Sequence, residues 1–160
     1  MRISGTSLPF FHPAMLLATW FGAGRLPLAP GTWGSLAALP FAWGMASLAG
    51  PPVLFAAALA ALVIGIWASE AVTRTSGVKD PGEIVIDEVA GQWLALAFVP
   101  LDPLAYGAGF LLFRVFDIVK PWPANWIDRG VSGGMGIMLD DIVAGAYTGI
   151  LLYFLLPYLP

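Results

Sequence analysis

The sequence predicts an all-α fold: a small polytopic helical membrane protein with short or re-entrant hairpins and a polar site on its cytoplasmic face. Three observations carry this. Hydrophobic residues make up 59% of the 160 and charged residues 11%, against roughly 45–50% and 25% in soluble domains. The charges are absent from long stretches. The acids that remain gather in two blocks. A soluble helical protein with a very apolar core is the competing reading. It is disfavoured because a single domain of this length has too little interior to hide so much apolar surface. Seven Lys+Arg cannot form a basic footprint, which excludes nucleic acid as a partner. The absence of cysteine excludes disulfides, thiolate metal sites and cysteine nucleophiles, and a single histidine excludes a multi-histidine metal site.

The elements follow in chain order. No apolar run near the N-terminus precedes a small-residue cleavage site, so no removable signal peptide is expected. Leu26–Ser69 carries no charged side chain over 44 residues. About 20 apolar residues cross the hydrocarbon core, so this stretch suffices for two crossings. Gly50-Pro51-Pro52 near its middle is a turn signal, which predicts a tight hairpin of Thr32–Ala49 and Val53–Ser69. Gly77 is expected to end the following helical turns. Asp80-Pro81-Gly82-Glu83 reads as a helix start, with Asp80 as N-cap and Pro81 at the first helical position. That helix would place Glu83 and Asp87 on one face.

Val89–Phe113 contains one charge, Asp102, and is divided by Pro100-Leu101-Asp102-Pro103. Each half is 11 residues, reaching about 16 Å, roughly half a membrane core. It is either one crossing or a short hairpin that returns. The basic residues favour the return. With hairpins at 32–69 and 89–113, Arg2, Arg25, Arg74, Lys79, Arg114, Lys120 and Arg129 all lie on one side, which the positive-inside rule makes the cytoplasm. Lys120-Pro121-Trp122-Pro123 should stop the helix carrying Arg114 and Asp117. Gly130, Gly133, Gly134 and Gly136 suggest a flexible turn. Ile142–Pro160 is uncharged and fits one final crossing, headed by Asp140 and Asp141.

Nine of the ten carboxylates fall in two blocks, Glu70–Glu88 and Asp117–Asp141. Asp87-Glu88 and Asp140-Asp141 each adjoin an apolar segment, a costly placement unless something neutralises them. Together with Asp117 they form an all-oxygen donor set suited to a hard divalent cation such as Mg²⁺. Arg114, Asp117 and Lys120 recur every three residues, so two cations flank one acid on a helix end and could hold a phosphate. The segment Gly22–Ser35 is a glycine-rich turn in which Thr32 and Ser35 open a helix and could bind an anion. Asp80 is read as a helix cap. His12, Trp122 and Trp126 are read as structural, the tryptophans at the membrane interface. These patterns are what a hydrolase acting on a lipid phosphate ester needs. Buried acids in a small membrane protein also suit an ion- or proton-coupled transporter, which would need its charges near the bilayer midplane and reachable from both faces.

Four co-linear runs resemble the phosphatidylglycerophosphatase A family: Ala29–Ser35 (APGTWGS), Asp80–Gly91 (DPGEIVIDEVAG), Phe113–Pro123 (FRVFDIVKPWP) and Gly133–Gly145 (GGMGIMLDDIVAG). The resemblance implies a single domain over residues 1–160 and a multi-pass enzyme of the bacterial inner membrane with its site facing the cytoplasm. It would remove the terminal phosphate of phosphatidylglycerophosphate, using Mg²⁺. The matching acids are Asp87, Glu88, Asp117, Asp140 and Asp141 as metal ligands, with Thr32, Arg114 and Lys120 toward the substrate phosphate. Glu88 or Asp141 is the expected general base; an aspartyl-phosphate route is the alternative.

Overall fold

The computed structural model describes residues 7–158; Arg2, counted above among the basic residues, lies outside them. The described chain is all-helical. Its helices are α1 (Pro13–Ala18), α2 (Pro30–Ala49), α3 (Val53–Ser76), α4 (Ile86–Leu96), α5 (Pro103–Val119), α6 (Ala124–Gly130) and α7 (Gly133–Leu155), with 3₁₀ turns at Ala23–Arg25 and Leu156–Tyr158.

Proline and glycine set most of the boundaries. Pro13, Pro30 and Pro103 each occupy the first turn of a helix, where the missing N–H is no loss. Gly50 and Gly77, both at positive φ, end α2 and α3. His12 caps α1 by accepting the Ala14 N–H, and Asp102 caps α5 by accepting that of Ala105 at 2.8 Å.

Several boundaries differ from those the sequence predicts. Residues 81–85 are not helical. The Val85 N–H donates to the Ala18 carbonyl at 2.8 Å, which holds this strap across the end of α1. The helix therefore opens at Ile86, Asp80 is not its cap, and Glu83 does not share a helical face with Asp87. Glu83 pairs instead with Arg25 at 2.8 Å. Nor do Thr32 and Ser35 open a helix, because α2 already begins at Pro30. The glycine run is helical rather than a flexible turn. Gly134 packs so closely on α3 that a Cβ there would stand 2.2 Å from the Ile66 carbonyl oxygen, and its N–H donates to the Glu70 carboxylate at 2.8 Å. A carboxylate at a helix N-terminus is favourable, so α7 starts at Gly133 and carries Asp140 and Asp141 about two turns inside.

Among the described residues, two helical stretches are long and apolar enough to cross a membrane, α3 and Gly133–Tyr158, of 24 and 26 residues. The Thr32–Ala49 half of the expected hairpin does not reach that mark, since α2 dilutes its aliphatic side chains with glycine, tryptophan, serine and Pro40.

α4 lies at the centre. From Val89 to Leu96 every residue is buried, against α2, α3 and α7. Its approach to α7 is made possible by two glycines. A Cβ on Gly145 would lie 2.3 Å from the Gly91 carbonyl oxygen, and one on Gly91 would lie 2.5 Å from that of Asp141. The hairpin of α4 and α5 returns on itself, because the start of α4 and the end of α5 line one cavity.

The glycines give a prediction of opposite signs. Gly145→Ala should destabilise the protein by about 1–3 kcal/mol, the usual cost of overpacking. Gly107→Ala, in α5 with nothing within 4 Å of the added carbon, should be neutral or stabilise by up to about 1 kcal/mol. Thermal unfolding in detergent would measure both.

Candidate active site

Five chain segments meet at a cavity of about 470 Å³: the start of α2, the 79–84 loop, the start of α4, the end of α5, and α6 with the first half of α7. Its walls hold seven carboxylates (Asp80, Asp87, Glu88, Asp117, Asp128, Asp140, Asp141) and three cations (Lys79, Arg114, Lys120). The formal excess is four negative charges.

The acids fall into two kinds of environment. Asp87, Glu88 and Asp141 form a cluster in which one carboxylate oxygen from each lies within 4.8 Å of the others. One oxygen of each (Asp87 Oδ1, Glu88 Oε2, Asp141 Oδ2) is buried without a hydrogen-bond partner. The Asp117 carboxyl lies against that of Asp141. Like charges this close, short of solvent and donors, are strongly unfavourable by themselves. The orphaned oxygens suit a hard divalent cation, which takes oxygen ligands and supplies the missing positive charge.

The other acids are held by cations. Arg114 contacts Asp117 one turn away on α5, and its Nη1 stands 3.6 Å from Glu88 Oε1. Gly31 leaves room for this bridge: a Cβ there would meet Glu88 Oε1 at 2.2 Å and Arg114 Nη1 at 3.0 Å. Lys120, which ends α5 at φ 48°, donates to Asp140 Oδ2 at 2.5 Å and to Asp128 Oδ1 at 2.8 Å. Burial disfavours its ammonium, but the hydrogen bonds and charges of Asp128 and Asp140 outweigh that and raise its pKa above the ordinary lysine value.

A family model for phosphatidylglycerophosphatase A matches residues 16–156, nearly the whole chain. The chain belongs to the phosphatidylglycerophosphatase A family. It is 43% identical to the Escherichia coli K12 phosphatidylglycerophosphatase A over 155 residues, covering 96% of this chain and 89% of that one. The Haemophilus influenzae phosphatidylglycerophosphatase A is 37% identical over 91% of this chain and 90% of its own. A Bacteroides thetaiotaomicron protein provisionally named phosphatidylinositol-3-phosphatase is 40% identical over 90% and 93%. No solved structure matches the chain.

In this member of the phosphatidylglycerophosphatase A family, seven of the eight site residues expected from sequence line the one cavity: Asp87, Glu88, Arg114, Asp117, Lys120, Asp140 and Asp141. Thr32 does not. Its neighbours Ala29, Pro30 and Gly31 line the wall in its place. The expected set of five metal-ligating acids is divided, with Asp140 turned to Lys120 and outside the three-carboxylate cluster. Sequence reasoning passed over three contributors. Asp128 belongs to the second acidic block but lies beyond the Pro-Trp-Pro break, so its spacing from Lys120 carries no helical signal. Gly31 acts by lacking a side chain. Lys79, exposed at the cavity's edge, makes no ion pair among the described residues.

Lys120→Met should cost about 3 kcal/mol, because it strands the buried Asp140. Asp128→Asn should cost under about 1 kcal/mol, since Asp128 is half exposed and Asp140 still holds the lysine. The raised pKa fixes the pH dependence. The stability Lys120 contributes is complete below the ordinary lysine pKa and is lost only as pH climbs through the higher folded-state value. Thermal unfolding of the three proteins should therefore differ by the same margin from neutral pH up to about pH 9.

Proposed function

We propose that this protein hydrolyses phosphatidylglycerophosphate to phosphatidylglycerol and phosphate at the cytoplasmic face of a bacterial inner membrane, with a divalent cation such as Mg²⁺. The observation that carries the reading is the cluster of Asp87, Glu88 and Asp141, its oxygens unpartnered, in one cavity with Arg114 and Lys120. The substrate is the one that gives two relatives, the phosphatidylglycerophosphatases A of E. coli and H. influenzae, their name.

Asp87, Glu88 and Asp141 would hold the cation, with Asp117 beside them. When bound, it would neutralise phosphoryl oxygens and acidify a water. The protein's own groups supply the rest. Arg114 and Lys120 offset charge growing on the transferred phosphoryl group. Glu88 or Asp141 takes the proton from the attacking water as its oxygen bonds to phosphorus; the bond from phosphorus to the headgroup glycerol oxygen breaks, and that oxygen takes a proton from solvent and leaves as an alcohol. Asp140 and Asp128 keep Lys120 charged and aimed. Aspartyl-phosphate formation at one of the clustered acids is the rival route.

The membrane setting is supported by the side chains left outside. Phe55, Leu59, Val63 and Trp67 on α3, and Tyr153, Phe154 and Leu155 at the end of α7, are exposed; apolar surface of this extent fits lipid better than water. The start of α2, the loop after α3, the start of α4, the end of α5 and the first half of α7 all border one cavity. This supports two returning hairpins and a final crossing by α7. The six basic residues within the described chain then share one side, the cytoplasmic one. Lipid headgroups arrive at that surface. Family membership does not favour the transporter alternative.

Purified protein should release phosphate from phosphatidylglycerophosphate in Mg²⁺ and lose that activity in excess chelator. Asp87→Asn and Asp141→Asn should each reduce kcat by at least about 10²-fold, while Asp80→Asn, at the edge, stays near the starting rate. Mg²⁺ should also raise the unfolding temperature, by about 2.7 kcal/mol of stabilisation at a hundredfold excess over Kd, and Asp141→Asn should abolish that rise. Full activity in chelator, or in an Asp140→Asn/Asp141→Asn double variant, would overturn the reading. Assaying phosphatidylinositol 3-phosphate alongside tests the headgroup.

A further inference from the structure

We infer that the groove between α5 and α7 holds one acyl chain of the lipid whose phosphate is being removed. This inference rests on the lipid-phosphatase reading above and extends it to an apolar subsite. The groove, of about 370 Å³, is lined by Phe116, Pro121, Tyr147, Ile150, Leu151 and Phe154. Its one polar side-chain group, the Tyr147 hydroxyl, is engaged, donating to the Trp122 carbonyl at 2.5 Å. The wall therefore offers an occupant nothing but apolar contact.

Position within the fold identifies that occupant. Tyr147, Ile150, Leu151 and Phe154 are spaced i, i+3, i+4, i+7 and form one face of α7. Asp140, seven residues before Tyr147, lies on the same face, and it holds Lys120 at 2.5 Å. On α5, Phe116 precedes Lys120 by one turn, and Pro121 follows it directly. The α5–α7 seam is thus ionic where it borders the active site and apolar immediately beyond. The two parts are continuous along the same pair of helices. From Tyr147 to Phe154 the apolar part runs about 10 Å. A lipid with its terminal phosphate beside Lys120 has the headgroup glycerol and a phosphodiester between that phosphate and its acyl-bearing glycerol, a spacer comparable to the about 10 Å that separate Asp140 from Tyr147 along α7. A chain leaving that glycerol enters the groove at high effective concentration, an advantage no bulk lipid has. Contacts far from the reacting bond then contribute to holding the substrate in place.

The test is photolabelling in micelles with phosphatidylglycerophosphate carrying a diazirine in one acyl chain. Adducts should map to Ile150, Leu151 and Phe154, and be competed by unlabelled phosphatidylglycerophosphate but not by phosphatidylcholine of the same chain length. Equal labelling by a phosphatidylcholine probe means bulk lipid fills the groove and overturns the inference. So does covalent capture of a second copy of the chain through Ile150→Cys. Ile150→Trp, at an exposed position, should raise KM for the long-chain substrate about tenfold and leave kcat unchanged. Turnover of a diacetyl analogue, whose chains are too short to fill the groove, should be unaltered; an equal loss on both substrates would mark a structural role and overturn the inference. A protein that cleaves neither substrate defeats the phosphatase reading, while the labelling pattern still decides the groove.

Discussion

The backbones of α4 and α7 touch at Gly91 and Gly145, and the active site depends on that contact. Gly91 lies one turn beyond Asp87 and Gly145 one turn beyond Asp141. Closing the interhelical distance at the glycines brings the acids of the turns before them to within 4.8 Å. At Gly145 the approach is limited by main-chain atoms alone, and the Phe113 ring packs onto Gly91 beside the crossing. Small residues play this part where helices pack within a membrane, because lipid is as apolar as any side chain and close contact has to supply the attraction. The rest of α4 is buried against its neighbours, which leaves the carboxylates little freedom to separate.

That rigidity has an electrostatic cost, and the surrounding residues distribute it unevenly. Arg114 spans Glu88 and Asp117; Lys120 spans Asp128 and Asp140. Both cations are thus held at the edge of the cluster, and neither enters it. The centre keeps three carboxylates with unsatisfied oxygens. On the proposed reading, that centre would take a divalent cation, and the two cations at its edge would meet the oxygens of an incoming phosphate.

Much of this was legible in the sequence, for identifiable reasons. Charge-free stretches and a Gly-Pro-Pro break locate α2 and α3, because a polar residue is costly in either a packed helix pair or a bilayer. Paired acids at apolar junctions, and the three-residue spacing of Arg114, Asp117 and Lys120, mark the site, because few other roles tolerate them. What stayed hidden depends on contacts distant in sequence. Residues 81–85 have the chemistry of a helix start, yet the Ala18 carbonyl claims the Val85 N–H. The glycines at 133–136 have the look of a loop until Glu70, 64 residues away, supplies the negative charge that begins α7. Asp140 and Asp141 are neighbours in sequence with the same chemistry. About 100° of helix rotation sends one to Lys120 and the other to the cluster.

The crossing of α4 with α7 also sets the order in which a newly made chain acquires its chemistry. Asp87 and Glu88 leave the ribosome more than fifty residues before Asp141, so for that interval they have no partner cluster. α4 is too short to span a bilayer alone, and its glycine seat for α7 stands empty. A chain not yet extended past Asp141 lacks one of the three clustered carboxylates. The cluster is complete only once α7 has docked on α4.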